Sequence, residues 1–369
     1  MKKVLFLIHD LGHGGAEKVL VNLVNNMDPK QFDITVLAVF GGGVNEQFLK
    51  PHIRYQTVFK KLFPGNSHVM KLFSPAQLHK WMIKEHYDVE VAYLEGPDSR
   101  IISGCPDKDT KLVSWIHVEQ HTMDKLAMSF RSKQEARTCY DRFDQTVCVS
   151  QYVHDDFCGI LDFQKPCCVL YNTVESDKIL ALSKENALEL ADDGRIRLVA
   201  VGTLKASKGY DRILRIVKRL KAEHYPVHLY ILGIGPERQM LEKYVSDNAL
   251  DDSVTFLGYQ TNPYKYVSKC DLFICASFAE GFSTAATEAL IVGTPVCTVE
   301  VSGMKEMLGE NDDWGIVTKN DEEALYQGIK RLLDDSGLLA HYREKAAQRG
   351  ESFSTETTVQ AVEQMLLAL

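Results

Sequence analysis

The chain alternates two kinds of apolar pattern. Short unbroken runs of Val, Ile, Leu and Phe are separated by longer stretches in which apolar residues recur every three or four positions. The first kind fits strands buried on both faces, the second helices with one apolar stripe. Lys3–Ile8 reads as a strand, "GHGGAEK" breaks the run, and Ala16–Asn26 has helical spacing. Asp33–Val39, Val89–Leu94, Leu112–Ile116, Gln145–Val149 and Cys167–Leu170 read as further strands. In "SPAQLHKWMIKEH", Ser74 is placed to cap a helix that Pro75 opens. This alternation predicts a parallel sheet with helices on both faces.

A polar stretch, "NTVESDKILALSKENALELADDGR", fills 172–195, and the pattern then restarts. Ile196–Val201, Val227–Leu232, Val254–Leu257, Leu272–Cys275 and Pro295–Val299 read as strands, and Tyr210–Glu223 as a helix. The final "STETTVQAVEQMLLAL" reads as a helix with Val359, Val362, Met365 and Leu366 on its apolar side. A length of 369 residues fits two domains better than one core. Each half is expected to be a doubly wound α/β unit, with ligands gathering at the carboxyl ends of its strands and the two halves facing across a cleft.

Composition adds exclusions. A net charge of −8 argues against a nucleic-acid binder that relies on overall positive charge. Nine scattered cysteines form no CxxC pair, and several, such as Cys148 and Cys275, lie inside apolar runs. They read as buried thiols in a reducing compartment. "MKKVLFLIHD" is too short a run for a signal peptide and is followed at once by a glycine-rich loop. No stretch approaches the ~20 apolar residues of a membrane span, so the expected location is the cytoplasm. One segment departs from the acidic average. Residues 50–84 carry seven Lys or Arg and no Asp or Glu, with Phe59, Phe63, Phe73 and Trp81 interleaved. Such a segment suits an anionic membrane surface at the inner face of the cell membrane. It equally suits a solvated face over an ordinary core.

The loops after the strands hold the candidate chemistry. Gly12, Gly14 and Gly15 stand between a strand and a helix, where backbone can approach a ligand and helix N–H groups point outward. Their spacing is not that of a dinucleotide fingerprint, which argues against an oxidoreductase. In "VGTLKASKGYDRIL", Lys205 and Lys208 precede a helix N-terminus, an unfavourable place for cations unless an anion such as a diphosphate joins them. "LGIGPERQM" places Gly233 and Gly235 after a strand, with a helix expected from Pro236. In "AEGFSTAATEALIVGTPV", Glu280 follows a strand, Ser283 or Thr284 can cap the next helix, and Glu288 lies about one turn inside it. The small residues between the two carboxylates leave that helix N-terminus open to a phosphate. His117, just past a strand, is a candidate for moving a proton or for a structural role. The Asp107–Asp109 pair lacks a strand-loop context for metal binding and reads as a turn.

The last of these runs resembles the E-x7-E signature of retaining glycosyltransferase family four, which has the GT-B fold of two Rossmann-like domains. "GGAEK", "VSQYVHDDF", "VLYNTVESD", "VGTLKASKGYDRIL", "LYILGIGPERQMLE", "VTFLGY", "SGMKEML" and "WGIVT" follow in the family's order. The resemblance implies an acceptor-binding domain at 1–173, a nucleotide-sugar-binding domain at 174–352, and a helix at 353–369 packing back on the first, with Asn172 at the crossover. It implies metal-independent sugar transfer from a nucleotide-sugar, usually a uridine diphosphate sugar, with the anomeric configuration retained. Glu288 would bind the ribose, and Glu280 would lie near the donor sugar. Backbone of Gly281, Phe282 and Ser283 would lie close to sugar and phosphate. Lys208 would neutralise the diphosphate, backbone at Tyr259 would read the base, and Gly235 and Thr284 would line the donor. Gly14 and Gly15 would approach it from the first domain, and His117 would face the reacting sugar. Thr203 stands where the family usually has arginine, leaving Lys205 as the residue that would replace that charge. Ser283 adds a hydroxyl that could bear on sugar choice. The first half is similar to enzymes of capsule, exopolysaccharide and lipopolysaccharide synthesis, whose acceptors are saccharides or lipid-linked saccharides. A nucleotide-sugar 2-epimerase of the same fold, or a non-catalytic partner of another transferase, remains an alternative.

Overall fold

The run Val4–Ile8 is completely buried, as a strand with neighbours on both sides and helices on both faces must be. It belongs to β1 (Lys2–Ile8), which lies parallel between β2 (Phe32–Phe40) and β4 (Val89–Ala92), Val4 standing opposite Ile34 on one side and Val89 on the other. The structure is a computed structural model that describes the whole chain except Pro64, Leu188, Asp192 and the side chains of Ser67 and His68. Parts of the basic segment 50–84 and of the polar stretch 172–195 therefore lie outside the described residues. Two units emerge, one of Met1–Val174 with Thr355–Leu369, the other Glu175–Ser354.

In the first unit β3 (Arg54–Phe59), β5 (Lys111–Ile116), β6 (Gln145–Cys148) and β7 (Cys167–Val169) complete a parallel sheet in the order β3-β2-β1-β4-β5-β6-β7. β3 is absent from the hydrophobic reading because it is an edge strand, "RYQTVF", with no fully buried residue. Polar edges of this kind guard a sheet against pairing with other chains. The helix opened by Ser74 has a full capping box with Gln77 but ends at Met82, short of the expected extent. The terminal helix Thr355–Ala368 is held to this unit. Thr355 Oγ1 donates to the Val174 carbonyl at 2.9 Å, Lys2 Nζ to that of Leu366 at 2.7 Å, and the Asp28 N–H to Glu363 Oε1 at 2.6 Å.

The second unit is a sheet of β8 (Ile196–Val201), β9 (Val227–Leu232), β10 (Val254–Gly258), β11 (Leu272–Cys275), β12 (Val296–Val299) and β13 (Ile316–Thr318), in the order β10-β9-β8-β11-β12-β13. β13 is also missing from the sequence reading, being three residues long. Helix Tyr210–Ala222 lays Ile213, Leu214, Ile216, Val217 and Leu220 into the core under β8 and β9. Each such side chain contributes about 1.5–3 kcal/mol by leaving water. The chain steps from β8 outward to β10, then returns to β11 on the other side of β8. The reversal opens a crevice at the carboxyl ends of β8 and β11, the place where such sheets bind ligands. The same reversal occurs between β1 and β4 in the first unit.

The cysteines differ from expectation in part. All nine thiols are free, but Cys158, Cys167 and Cys168 are half-buried, because β7 is an edge strand and Cys158 lies on the partly open side of its helix. The Asp107–Asp109 segment bends as expected, with the Asp109 N–H bonded to Asp107 Oδ1 at 2.9 Å.

The loops after β8 and β11 touch at Gly209, which has φ +65°, and a Cβ there would stand 2.1 Å from the Ala276 carbonyl oxygen. Gly209→Ala is therefore expected to cost at least about 2 kcal/mol and to lower the melting of the second unit. Gly159→Ala, where a Cβ meets nothing within 4 Å, should be neutral or slightly stabilising. Differential scanning calorimetry of both variants reads the contrast; equal losses would refute this account of the contact.

Candidate active site

Lys208 and Glu280 reach the crevice of the second unit from opposite sides. Lys208 ends the loop after β8, Glu280 lies in the loop after β11, and their Nζ and Oε1 atoms meet at 2.5 Å. Ser277 Oγ donates to the same carboxylate oxygen at 2.6 Å. The side chains are 26% and 12% exposed, so the pair is screened far less than a surface ion pair. Backbone contacts hold the loops in register. The Phe278 N–H donates to the Ser207 carbonyl at 2.8 Å. Arg212, buried on helix Tyr210–Ala222, donates Nη2–H to the Ala276 carbonyl and Nη1–H to Asn320 Oδ1 at 3.0 Å. Its guanidinium also lies 3.9 Å from the centre of the Phe278 ring.

Ser283 caps helix Thr284–Ile291, its Oγ accepting the Ala286 N–H at 3.4 Å. The hydroxyl expected to bear on sugar choice is thus buried and engaged in the cap, because the helix needs an acceptor for its first-turn N–H groups. Phe282 turns its ring into the core against Phe353, with ring centres 6.1 Å apart, so only its backbone can serve a ligand. Gly281 is buried and Thr284 half-buried beside it. Glu288 is 8% exposed and accepts from Tyr264 Oη at 3.4 Å.

The loop after β9 adjoins that after β8. Leu204 N–H donates to the Ile234 carbonyl at 2.9 Å, and Glu237 N–H to the Leu204 carbonyl at 3.1 Å. Gly235 is required there, since a Cβ would stand 2.3 Å from the Leu204 carbonyl oxygen. This docking delays the helix expected from Pro236, which begins at Arg238. Thr203 and Lys205 are exposed in the β8 loop, and Tyr259 is 50% exposed just past β10. Lys205, Lys208, Gly235, Tyr259, Glu280 and Ser283 thus all lie on loops at one end of one sheet. The missed residues, Ser277, Phe278 and Arg212, act through tertiary contacts. Only the position of Ser277 and Phe278 directly after a strand could have signalled them.

The other expected residues belong to the first unit. Gly14 precedes helix Gly15–Asn26, which no side chain caps. His117 follows β5, and its N–H donates to Glu95 Oε2 at 3.0 Å. Its ring, 8% exposed, lies 4.9 Å from Tyr93 and is stacked on Trp115 at 6.4 Å. Among the described residues His117 Nε2, Tyr93 Oη and Trp115 Nε1 are buried without a hydrogen-bond partner. Each such group costs about 1–3 kcal/mol, so a cluster of them marks a place where function outweighs stability. Burial lowers the His117 pKa to about 4, opposed by a backbone hydrogen bond at Tyr93. Burial raises those of Glu95 and Asp98, the latter also through the neighbouring Glu95 and Asp10 charges. Near neutral pH the pocket therefore holds a neutral imidazole that can share a hydrogen bond with a hydroxyl but is a weak base. The sequence signal for Tyr93, Glu95 and Asp98 is "YLEGPD" at the carboxyl end of β4, beside the reversal in strand order.

Comparison with known proteins agrees with this layout. "Glycosyl transferases group 1" matches residues 184–349, which include all the second-unit loops above, and "Glycosyltransferase Family 4" matches residues 13–178. The chain is a glycosyltransferase of the GT-B fold and belongs to family four. The N-acetylgalactosamine-N,N'-diacetylbacillosaminyl-diphospho-undecaprenol 4-alpha-N-acetylgalactosaminyltransferase of Campylobacter jejuni is 26% identical over 366 residues, 96% of each chain. The lipopolysaccharide core biosynthesis glycosyltransferase LpsD of Rhizobium meliloti is 30% identical over 173 residues, 47% of this chain and 48% of its own. Anabaena HepE, solved with UDP and glucose, superposes with a TM-score of 0.80 at 18% identity over the whole of both chains. Among the described residues no helix is long and apolar enough to cross a membrane.

His117 makes a testable contribution to acid sensitivity. Its pKa falls from 6.5 to about 4 on folding. As pH drops through that window the unfolded chain binds a proton that the folded chain refuses, so stability falls, by up to about 3 kcal/mol. Above pH 6.5 the histidine adds no pH dependence. Glu95 and Asp98, pushed the other way, oppose this trend in any variant that keeps them. His117→Asn should flatten the acid-side loss, measured as the urea midpoint at about pH 4.5 against pH 7. An unchanged slope would contradict the buried neutral imidazole.

Proposed function

We propose that the protein transfers a sugar from a uridine diphosphate sugar to a lipid-linked saccharide, with retention and without a metal ion, in the building of a bacterial surface glycan. The observation that carries this reading is the Lys208–Glu280 pair across the β8–β11 crevice beside a capped helix N-terminus. That arrangement offers a cation and oriented N–H groups to a diphosphate without requiring a metal. The solved complex of Anabaena HepE with UDP and glucose, and the diphospho-undecaprenol-linked acceptor in the name of the Campylobacter relative, support the same substrate classes.

Breaking the bond between the anomeric carbon and the diphosphate oxygen sends negative charge onto that oxygen. Lys208 and the backbone of Gly281–Ser283 stabilise it, with Lys205 as a second charge in place of an arginine at Thr203. The acceptor hydroxyl forms its new bond on the same face, and its proton passes to the departing phosphate. Glu280 holds Lys208 and the sugar hydroxyls in position and is not a nucleophile. Glu288 takes the ribose, backbone at Tyr259 the uracil, and Gly235 and Thr284 line the donor. In the first unit Gly14, Gly15 and His117 serve sugar recognition.

Removing a preorganised donor of this kind usually costs about 10²–10³ in kcat. Lys208→Ala is expected to lose that much, and Glu280→Ala to abolish turnover. The assay is chromatographic detection of UDP and of the extended product from a polyprenyl diphosphate saccharide. Near-normal turnover in either variant would remove the assigned role. Donor incubated alone and isomerised at the sugar's second carbon, seen by NMR, would instead favour an epimerase. Nucleotide binding with no transfer to any acceptor would favour a non-catalytic partner.

The acceptor's lipid motivates a surface reading of the basic segment. Leu62, Leu72 and Trp81 are 59%, 75% and 46% exposed. Phe59, Phe63, Phe73 and Trp81 form a chain of ring contacts 5.4–5.9 Å apart. Lysines near an anionic membrane contribute about 1 kcal/mol each, and exposed apolar side chains insert beside them. The protein should float with anionic but not neutral liposomes, and Leu72→Ser with Trp81→Ser should weaken flotation. Equal behaviour on both vesicles would leave the segment as an ordinary solvated face.

A further inference from the structure

Far along the first sheet from its strand-order reversal, three metal-ligating side chains converge, with a fourth, Cys148, beside one of them. Cys148 ends β6, Cys167 opens the edge strand β7, and His154 and Cys158 stand four apart on helix Gln151–Leu161. This spacing puts the last two on one helix face. The ligand atoms of His154, Cys158 and Cys167 all lie within 4.8 Å of one another. Cys158 Sγ is 3.8 Å from His154 Nε2, and Cys148 Sγ is 3.7 Å from Cys167 Sγ. Bonds of about 2.3 Å to sulfur and about 2.0–2.1 Å to nitrogen at tetrahedral angles require donor spacings of about 3.5–3.8 Å. The imidazole is also held for ligation. His154 Nδ1 is 2.9 Å from Asp155 Oδ1, and Gln151 Nε2 secures that oxygen at 2.7 Å. A carboxylate on the outer ring nitrogen is the usual support of a metal-bound histidine, because it fixes the tautomer and aims the other nitrogen at the metal.

We propose that His154, Cys158 and Cys167 bind one zinc ion, with Cys148 Sγ, which stands beside Cys167 Sγ, turning in as the fourth ligand, so that the metal clips helix Gln151–Leu161 to β6 and the short edge strand β7. Thiolate with imidazole at tetrahedral spacing favours Zn²⁺ over magnesium or calcium, which prefer oxygen. Each ligating thiol loses its proton to solvent, so binding tightens as pH rises. The role is structural, since β7 has three residues and gains a second anchor to the helix beside it.

The test uses the untagged full-length protein, purified without chelator and passed through gel filtration. Inductively coupled plasma mass spectrometry should find about one zinc per chain. The metal should be lost in the Cys158→Ser/Cys167→Ser variant and kept in Cys139→Ser, a buried thiol outside the cluster. Asp155→Asn should bind zinc about 10–100-fold more weakly in a competition with a chromophoric chelator. A readout that does not depend on variants folding is cobalt. Wild-type protein titrated with Co²⁺ should show near-ultraviolet thiolate charge-transfer bands and intense visible bands of tetrahedral cobalt. Zinc no higher in wild type than in the double-serine variant, or no tetrahedral cobalt bands, overturns the site. A Cys148–Cys167 disulfide in a non-reduced peptide map overturns it as well, since it would consume two of the ligands.

Discussion

Glu280 and Lys208 meet across the line where the second sheet reverses its strand order, and the geometry of the candidate site rests on that meeting. A carboxylate and an ammonium in so sheltered a place each lose hydration that the partner, with Ser277 on the carboxylate side, replaces. Removing either strands the other. Around the pair the two loops are bonded backbone to backbone, at Phe278 with Ser207, and Arg212 fastens Ala276 from below. The ammonium has three protons, of which Glu280 and Ser277's shared oxygen engages one. A diphosphate arriving at the helix N-terminus can therefore take the others without dismantling the pair. On the proposed function, the donor's charge arrives with little rearrangement, which is what electrostatic preorganisation requires.

The buried strands were legible because a parallel sheet covered on both faces writes itself as unbroken apolar runs; β8, β9 and β11 have the expected limits to the residue. The strands that escaped, β3 and β13, lack that signature for physical reasons. One is a polar edge and the other is too short to carry a pattern. The loop residues Lys208, Glu280 and Ser283 could be picked out because loops after parallel strands converge on one end of a sheet. Arg212 could not. It sits in an amphipathic helix 64 residues from the carbonyl it supports, and nothing local distinguishes it from a solvated arginine. The Ser283 hydroxyl could be placed as a helix cap from sequence because the first-turn N–H groups need an acceptor, which its bond to the Ala286 N–H supplies.

The two units carry different kinds of polar burial. In the second, Lys208 and Glu280 are paired at the crevice, and buried Arg212 is held by a carbonyl and an amide oxygen. In the first, His117, Tyr93 and Trp115 enclose unmatched hydrogen-bonding atoms, and burial pushes the Glu95 and Asp98 carboxyl pKa values up. The dispersed cysteines make a related point. His154 and Cys158 show helical spacing, but Cys148 and Cys167 join them only through strand pairing, so no contiguous motif announces the cluster.

Thr355–Ala368 belongs to the unit made first, although the whole second unit is made before it. Its bonds to Val174, to Lys2 and to Asp28 cannot form until that helix has been synthesised and has left the ribosome. The amino-terminal half must then wait, with the groove beneath that helix uncovered, while the whole of the second unit is synthesised and folds. Val359, Val362 and Leu366 are the side chains that close it. A nascent chain stalled between Val174 and Thr355 would therefore present an open apolar flank to chaperones, and a frameshift within that helix would damage the unit that the chain forms first.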